Sequence, residues 1–242
     1  MRRSRAMIKT EMRNPKTTHF DKMTTKEMVA VMAEENANAV RAVEAASESI
    51  ALAIDTVAAA FQQGHRLFFI GAGTSGRLGV MDAAECPPTF GVSHEMVQGI
   101  MAGGESCMFR AGEGAEDLSQ SGREDVLSHG VRAGDVLVGI SVAGNAAYVK
   151  EGMRTAKELG ARTVALTCNE KAGIAEHADI VIVTDTGAEV LTGLDNIVRG
   201  LTKNPRVKTL HKIALAFNMT LAEFLDFDEL NDYSFDDDSD DE

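Results

Sequence analysis

Short apolar runs separated by helically spaced stretches dominate the middle of the chain. Residues 67–70, 96–101, 136–140, 163–166 and 180–183 are apolar and too short for helices, and several are rich in β-branched residues. Between them, 77–85, 116–127, 146–159 and 171–177 read as helices. Strands apolar on both faces that alternate with helices predict a parallel sheet covered on two sides. The fold class is therefore α/β, a three-layer αβα arrangement around a five-stranded parallel sheet. Upstream, Val40, Val43, Ile50, Ile54, Val57 and Phe61 recur at helical spacing up to a stop at Gly64. They predict one long or twice-broken amphipathic helix covering the sheet or a partner subunit. Thr24-Thr25-Lys26-Glu27 has the form of a capping box at its start. Residues 1–21 show no periodicity and read as a solvated start. Downstream, 194–227 reads as two or three short helices and 228–242 as a disordered acidic tail. The chain thus divides into an N-terminal helical segment (1–64), a ligand-binding α/β domain (65–193), a short helical segment (194–227) and the tail (228–242).

Composition narrows the class. The longest apolar stretch, 50–61, is interrupted by Asp55 and falls short of the ~20 residues of a membrane span. No apolar segment follows Arg2, Arg3 and Arg5, so no secretory leader is visible and a cytoplasmic protein without membrane contact is expected. Cys86, Cys107 and Cys168 are odd in number and scattered, which suits reduced thiols, and no histidine or cysteine spacing suggests a metal site. The net charge of −13 is concentrated: Asp226 to Glu242 accounts for ten of those negative charges and leaves −3 on the rest. Such a near-neutral body has no broad basic footprint for nucleic acid.

The first strand runs into Gly71-Ala72-Gly73-Thr74-Ser75-Gly76, which matches GxGxxG. A dinucleotide site would also want a long helix and an acid about 20 residues on, at the tip of the second strand. Here Pro87-Pro88 arrives early, that tip is Met101-Ala102-Gly103-Gly104, and Glu105 is late. The alternative is an anion cup: the Thr74 and Ser75 hydroxyls beside the amides of Ser75, Gly76 and Arg77 at a helix N-terminus, suited to a sugar phosphate. Strands one and three are the expected neighbours at the switch in strand order, so Ser141 and Asn145 of the loop Ser141-Val142-Ala143-Gly144-Asn145 can complete that cup. Two carboxylates attract attention, Glu85 before a rigid Cys86-Pro87-Pro88 turn and Glu116 in Glu113-Gly114-Ala115-Glu116-Asp117. A carboxylate pair can remove a proton from carbon and protonate a leaving oxygen, provided the environments separate their pKa values.

The runs IGAGTSGRLGV, DAAECPPTFGV and QGIMAGG closely resemble N-acetylmuramic acid 6-phosphate etherases. The likeness extends back to TEMRNP at 10–15 and forward through EGAED, VALTCN and TGAEVLTG at 186–193, roughly four fifths of the chain. It implies the sugar isomerase (SIS) fold and a homodimer. It implies cleavage of the lactyl ether of the phosphorylated amino sugar by elimination and hydration, with neither metal nor organic cofactor. By motif, Glu85 and Glu116 take the places of the two catalytic glutamates, and Glu189 lies in the last motif on the substrate side. Glu85 is assigned to protonate the departing lactate oxygen and Glu116 to handle the C2 proton, roles that can be exchanged. Nine helical residues from Gly76 to Glu85 span about 13 Å, so Glu85 is expected to serve the partner subunit's site.

Two departures stand out. Etherases commonly have S-G-R-T where this chain has Ala143, Gly144, Asn145 and Ala146, leaving Ser141 as the compensating hydroxyl. From Leu194 the family's C-terminal pattern is absent, and 194–200, 204–214 and 221–227 resemble the latter half of a Cro-type helix-turn-helix domain. The helices that normally precede that half are missing, which disfavours a working DNA reader. Three functions follow: an etherase, a non-catalytic sugar-phosphate sensor of the SIS type, and a DNA-associated regulator.

Overall fold

The computed structural model describes residues 9–191 and Thr220. Helices α1 (Thr25–Ala45) and α2 (Ser47–Gln62) precede an alternation of β1 (Leu67–Gly71), α3 (Gly73–Phe90), β2 (Val97–Met101), α4 (Ser106–Phe109), α5 (Ser119–Ser128), β3 (Val136–Ile140), α6 (Ala147–Glu158), β4 (Arg162–Thr167) and β5 (Ile180–Val183). All five strands are parallel, in the order β2-β1-β3-β4-β5. The chain moves outward from β1 to β2, then returns to the far side of β1 for β3. The carboxyl ends of β1 and β3 therefore flank the crevice where an open α/β sheet binds ligands.

Alternation along the strands divides the interior into two layers. Phe68, Ile70, Ile100 and Leu137 face Val126 of α5 and Tyr148, Val149 and Met153 of α6. Leu67, Val97, Val136, Val138 and Val164 face Ala53 and Ala60 of α2 and Ala83 of α3. Apolar side chains on both faces of each strand are what the continuous runs encode.

A buried ion pair aligns β1 with β3. Asp135, fully buried, accepts from the Arg66 amide (3.0 Å), the Arg66 guanidinium (Nη2, 2.7 Å) and the Arg132 amide (3.1 Å). The residue before β3 is thus tied to the residue before β1, in line with the pairing of Leu67 with Val136.

The structure corrects several expectations. The capping box forms, with Thr24 Oγ1 accepting from the Glu27 amide and the Glu27 carboxylate from the Thr24 amide. The long helix it opens breaks once, at Ala46, whose carbonyl accepts from the Ser49 hydroxyl. The helix expected over 77–85 runs from Gly73 to Phe90, with Pro87 and Pro88 inside its last turn and a left-handed Gly91 (φ +67°) ending it. The helix expected over 116–127 is a 3₁₀ turn (Ala115–Asp117) followed by α5, and 171–177 holds a 3₁₀ turn at Gly173–His177. Nor are residues 9–21 simply solvated. Thr10 and Asn14 are buried, Asn14 Nδ2 donates to the Ala188 carbonyl (3.0 Å), and Lys9 pairs with Asp185. Polar bonds rather than an apolar stripe hold this segment, so periodicity gave no sign of it. The helices expected in 194–227 and the tail 228–242 lie outside the described residues, apart from Thr220. Among the described residues, no helix is long and apolar enough to cross a membrane.

Removing one partner of a buried ion pair leaves the other charge uncompensated. Asp135→Ala is expected to lower stability by about 3 kcal/mol, measured by urea unfolding. A change within error of zero would show that Asp135 does not align the strands.

Candidate active site

The turn from β1 into α3 is built on close backbone approach. A Cβ at Gly71 would lie 2.6 Å from the Gly76 amide nitrogen, and one at Gly76 would lie 2.7 Å from the Gly71 carbonyl oxygen and 2.9 Å from Met101 Cγ. Glycine at both positions lets the first turn of α3 rest on the ends of β1 and β2. Gly73 opens the helix in the left-handed region (φ +57°). Because α3 starts at Gly73, the amides without an intrahelical acceptor are those of Gly73, Thr74 and Ser75. This shifts the cup toward the N-terminus of the expected set: the buried Gly76 amide turns to the Ala72 carbonyl (3.4 Å). Thr74 is exposed and Ser75 half-buried, so both hydroxyls sit at the surface of a positive helix end.

A cleft of about 540 Å³ opens beside that turn. Ala72, Gly73 and Arg77 form one wall, Met101 and Ala102 lie along it, and residues 111–117 form the opposite wall, including half-buried Glu116. The structure therefore brings Glu116 and the N-terminus of α3 to one cavity. Gly114 (φ +71°) turns the chain into the 3₁₀ turn that carries Glu116, and neighbouring Ala115 packs against the core.

Of the expected cup residues Gly73 lines this cleft, whereas Thr74, Ser75 and Gly76 do not, and the other expected residues are placed apart from it. Glu85 is exposed, about 13 Å along α3 from Gly76 at 1.5 Å per residue, and does not line the cavity. Because α3 is longer than expected, a short helix does not resolve that distance. Beside Glu85, burial and the Asp82 carboxylate hold the Cys86 thiol above its ordinary range, which keeps it a poor nucleophile. Ser141 is buried and accepts from the Gly144 amide (3.2 Å), so its oxygen supports the turn of its own loop. Asn145 is exposed and donates to the Ala143 carbonyl (3.3 Å). Glu189 is exposed in the segment after β5, an edge strand separated from β1 by β3 and β4.

The sequence reading missed three groups. Thr167 Oγ1 donates to the Val142 carbonyl (3.1 Å) and Asn169 Nδ2 to the Ala143 carbonyl (3.0 Å), so the end of β4 shapes the 141–145 loop. Arg77 donates from Nη2 to the carbonyls of Cys107 (2.8 Å) and Arg110 (3.3 Å), and from Nε to that of Met108 (3.0 Å). Its position one residue past the glycine loop was the available signal. A second cleft of about 530 Å³ lies at the amino ends of the strands, between α2 and residues that include Arg162 and Asp179. Among the described residues, no group of three or more His, Cys, Asp or Glu side chains is placed to hold a metal ion.

The two glycines of the turn should differ in tolerance. Gly76→Ala is expected to cost about 3 kcal/mol or more in urea unfolding, because its Cβ strikes backbone and Met101 together. Gly73→Ala meets open space and carries only the left-handed penalty of about 1–2 kcal/mol. A Gly76→Ala variant with a lower cost than Gly73→Ala would contradict the close approach described here.

Comparison with known proteins agrees with this architecture. The profile of the glucokinase regulatory protein N-terminal SIS domain matches residues 49–157, and that of the SIS domain matches 119–202, past Gly193. Among curated relatives, the N-acetylmuramic acid 6-phosphate etherases of Clostridium beijerinckii and Geobacillus sp. are each 47% identical over 193 residues, 80% of this chain. The chain spans 64% and 65% of their respective lengths. A solved phosphoheptose isomerase from Neisseria gonorrhoeae is 25% identical with a TM-score of 0.54, covering 66% of this chain and 86% of its own. A second, from Francisella tularensis, shares the fold at a TM-score of 0.53 and 17% identity, over 74% of this chain and 92% of its own. The chain is thus similar to N-acetylmuramic acid 6-phosphate etherases over four fifths of its length, and SIS-domain profiles match its middle.

Proposed function

We propose that this chain cleaves the lactyl ether of N-acetylmuramic acid 6-phosphate, giving N-acetylglucosamine 6-phosphate and D-lactate, in the cytoplasm during recycling of cell-wall amino sugars. The observation that carries the reading is the cleft shared by Glu116 and the first turn of α3. The phosphate lies at the amides of Gly73, Thr74 and Ser75 and the hydroxyls of the latter two, with Ser141, Asn145 and Glu189 as further candidates on the substrate side. Glu116 takes the C2 proton. The C2–H electron pair forms a C2–C3 double bond, the C3–oxygen bond breaks, and lactate departs with a proton from Glu85. Water then adds across the double bond, hydroxyl to C3 and proton to C2. The chemistry needs neither metal nor organic cofactor, because proton transfer and leaving-group protonation are work for carboxylates.

Glu85 acts on the site of a second copy of the chain. Leu78, Met81 and Glu85 fall at i, i+3 and i+7 on α3, and both apolar members of that stripe are exposed, as are Val40 and Val43 on α1. An apolar face that carries the distant glutamate suits burial against a partner subunit. A sugar-phosphate sensor without turnover is the second reading. It is favoured by the Ala143-Gly144-Asn145-Ala146 loop, which lacks the hydroxyls and the cation of the etherase pattern.

The deciding assay measures D-lactate released by the wild type, Glu85→Gln and Glu116→Gln. Each substitution is expected to reduce kcat by roughly 10²–10⁴-fold. Tight sugar-phosphate binding by a wild type that yields no lactate would favour the sensor. Mixing the two variants tests the shared site. Random reassortment should restore about a quarter of wild-type activity if each site takes Glu116 from one copy and Glu85 from the other. No restoration would place both glutamates in one subunit.

A further inference from the structure

We infer that Arg77 is a positioning residue that sets the width of the cleft between the anion cup and Glu116, an assignment that rests on the function proposed above. Arg77 belongs to the helix whose first turn forms the cup, yet its guanidinium is turned to the opposite wall, where it donates to the carbonyls of Cys107, Met108 and Arg110. Two of these lie in α4 and the third directly follows it. The carbonyls of a short helix's end have no intrahelical donors, and a cation there satisfies them and opposes the dipole.

The wall itself is mostly exposed. Residues 103–114 are exposed except for buried Cys107 and half-buried Met108, and Phe109 is 93% exposed. Its ends are anchored: the Ala102 amide donates to the Gly71 carbonyl (3.0 Å), and Ala115 packs against the core. Between those anchors, the loop folds around Cys107. A Cβ at Gly103 or Gly112 would collide with the Cys107 sulfur, so both stay glycine. That packing holds the loop to itself. The Arg77 guanidinium ties it to α3.

The planar guanidinium can serve several carbonyls at once, which the point-like ammonium of lysine cannot do with the same geometry. With Arg77 in place, the wall that carries Glu116 keeps a fixed separation from a phosphate held at Gly73–Ser75. Without it, the substrate still finds its phosphate site, but C2 and the Glu116 carboxylate lose alignment.

The test compares full-length wild type, Arg77→Lys and Arg77→Ala by lactate release, by urea unfolding and by trypsin cleavage after exposed Arg110. For Arg77→Ala, kcat is expected to fall roughly 100-fold with KM altered less than about threefold. Cleavage after Arg110 should quicken by about tenfold at a nearly unchanged unfolding midpoint, with Arg77→Lys intermediate in both readouts. Cleavage equal to wild type would overturn the tether. A KM raised more than about tenfold at constant kcat would also overturn it, and would make Arg77 a direct phosphate ligand. If the wild type releases no lactate, the proposed function fails while the cleavage comparison still decides the tether. Should Arg77→Ala not fold, Arg77→Lys carries the same comparison.

Discussion

Backbone contact between the first turn of α3 and the ends of β1 and β2 is the constraint on which the site depends. Gly71 and Gly76 approach so closely that neither tolerates a methyl group without movement of the other's backbone. The same packing continues down the helix, where a Cβ at Gly99 of β2 would lie 2.5 Å from Val80 Cα. Small residues along this seam seat the helix low on the sheet. Its unbonded amides then emerge beside the cleft at the carboxyl ends of β1 and β2. A helix N-terminus in that position offers a fixed positive end that requires no side-chain ordering when an anion binds.

Around this seam, polar bonds do the aligning that apolar packing cannot. Asp135 and Arg66 tie the starts of β1 and β3, Asn14 ties the N-terminal segment to the chain after β5, and Thr167 and Asn169 fasten the 141–145 loop. The proposed cup is made of backbone at the start of α3. The opposite wall is exposed in its middle, and Arg77 of α3 donates to its carbonyls. Such an arrangement suits chemistry in which a phosphate handle is gripped firmly and a carboxylate must be placed against one carbon.

Much of this was legible in the chain itself. The strands declared themselves because buried parallel strands are apolar on both faces, and the adjacency of β1 and β3 is the usual order at the switch point of such sheets. The capping box at Thr24 and Glu27 was equally plain. Helix limits were not. Gly73-Thr74-Ser75-Gly76 reads as a loop, and Pro87-Pro88 reads as a stop, yet both fall inside α3 because packing on the sheet outweighs local propensity there. Glu116 was recognisable by its motif, whereas periodicity alone would leave it a solvated acid. Asn14, Arg77, Thr167 and Asn169 had no periodic signature, since each works through one or two specific hydrogen bonds to backbone distant in sequence. The distance of Glu85 from the cup could be counted along the helix, and the structure lengthens that helix without shortening the distance.

The seating of the anion is best tested by following backbone amide resonances while N-acetylglucosamine 6-phosphate is titrated into the protein. The largest shifts are predicted at Gly73, Thr74 and Ser75, with smaller ones along 111–117. Shifts confined to the cleft at the amino ends of the strands, around Arg162 and Asp179, with none at the start of α3, would contradict it.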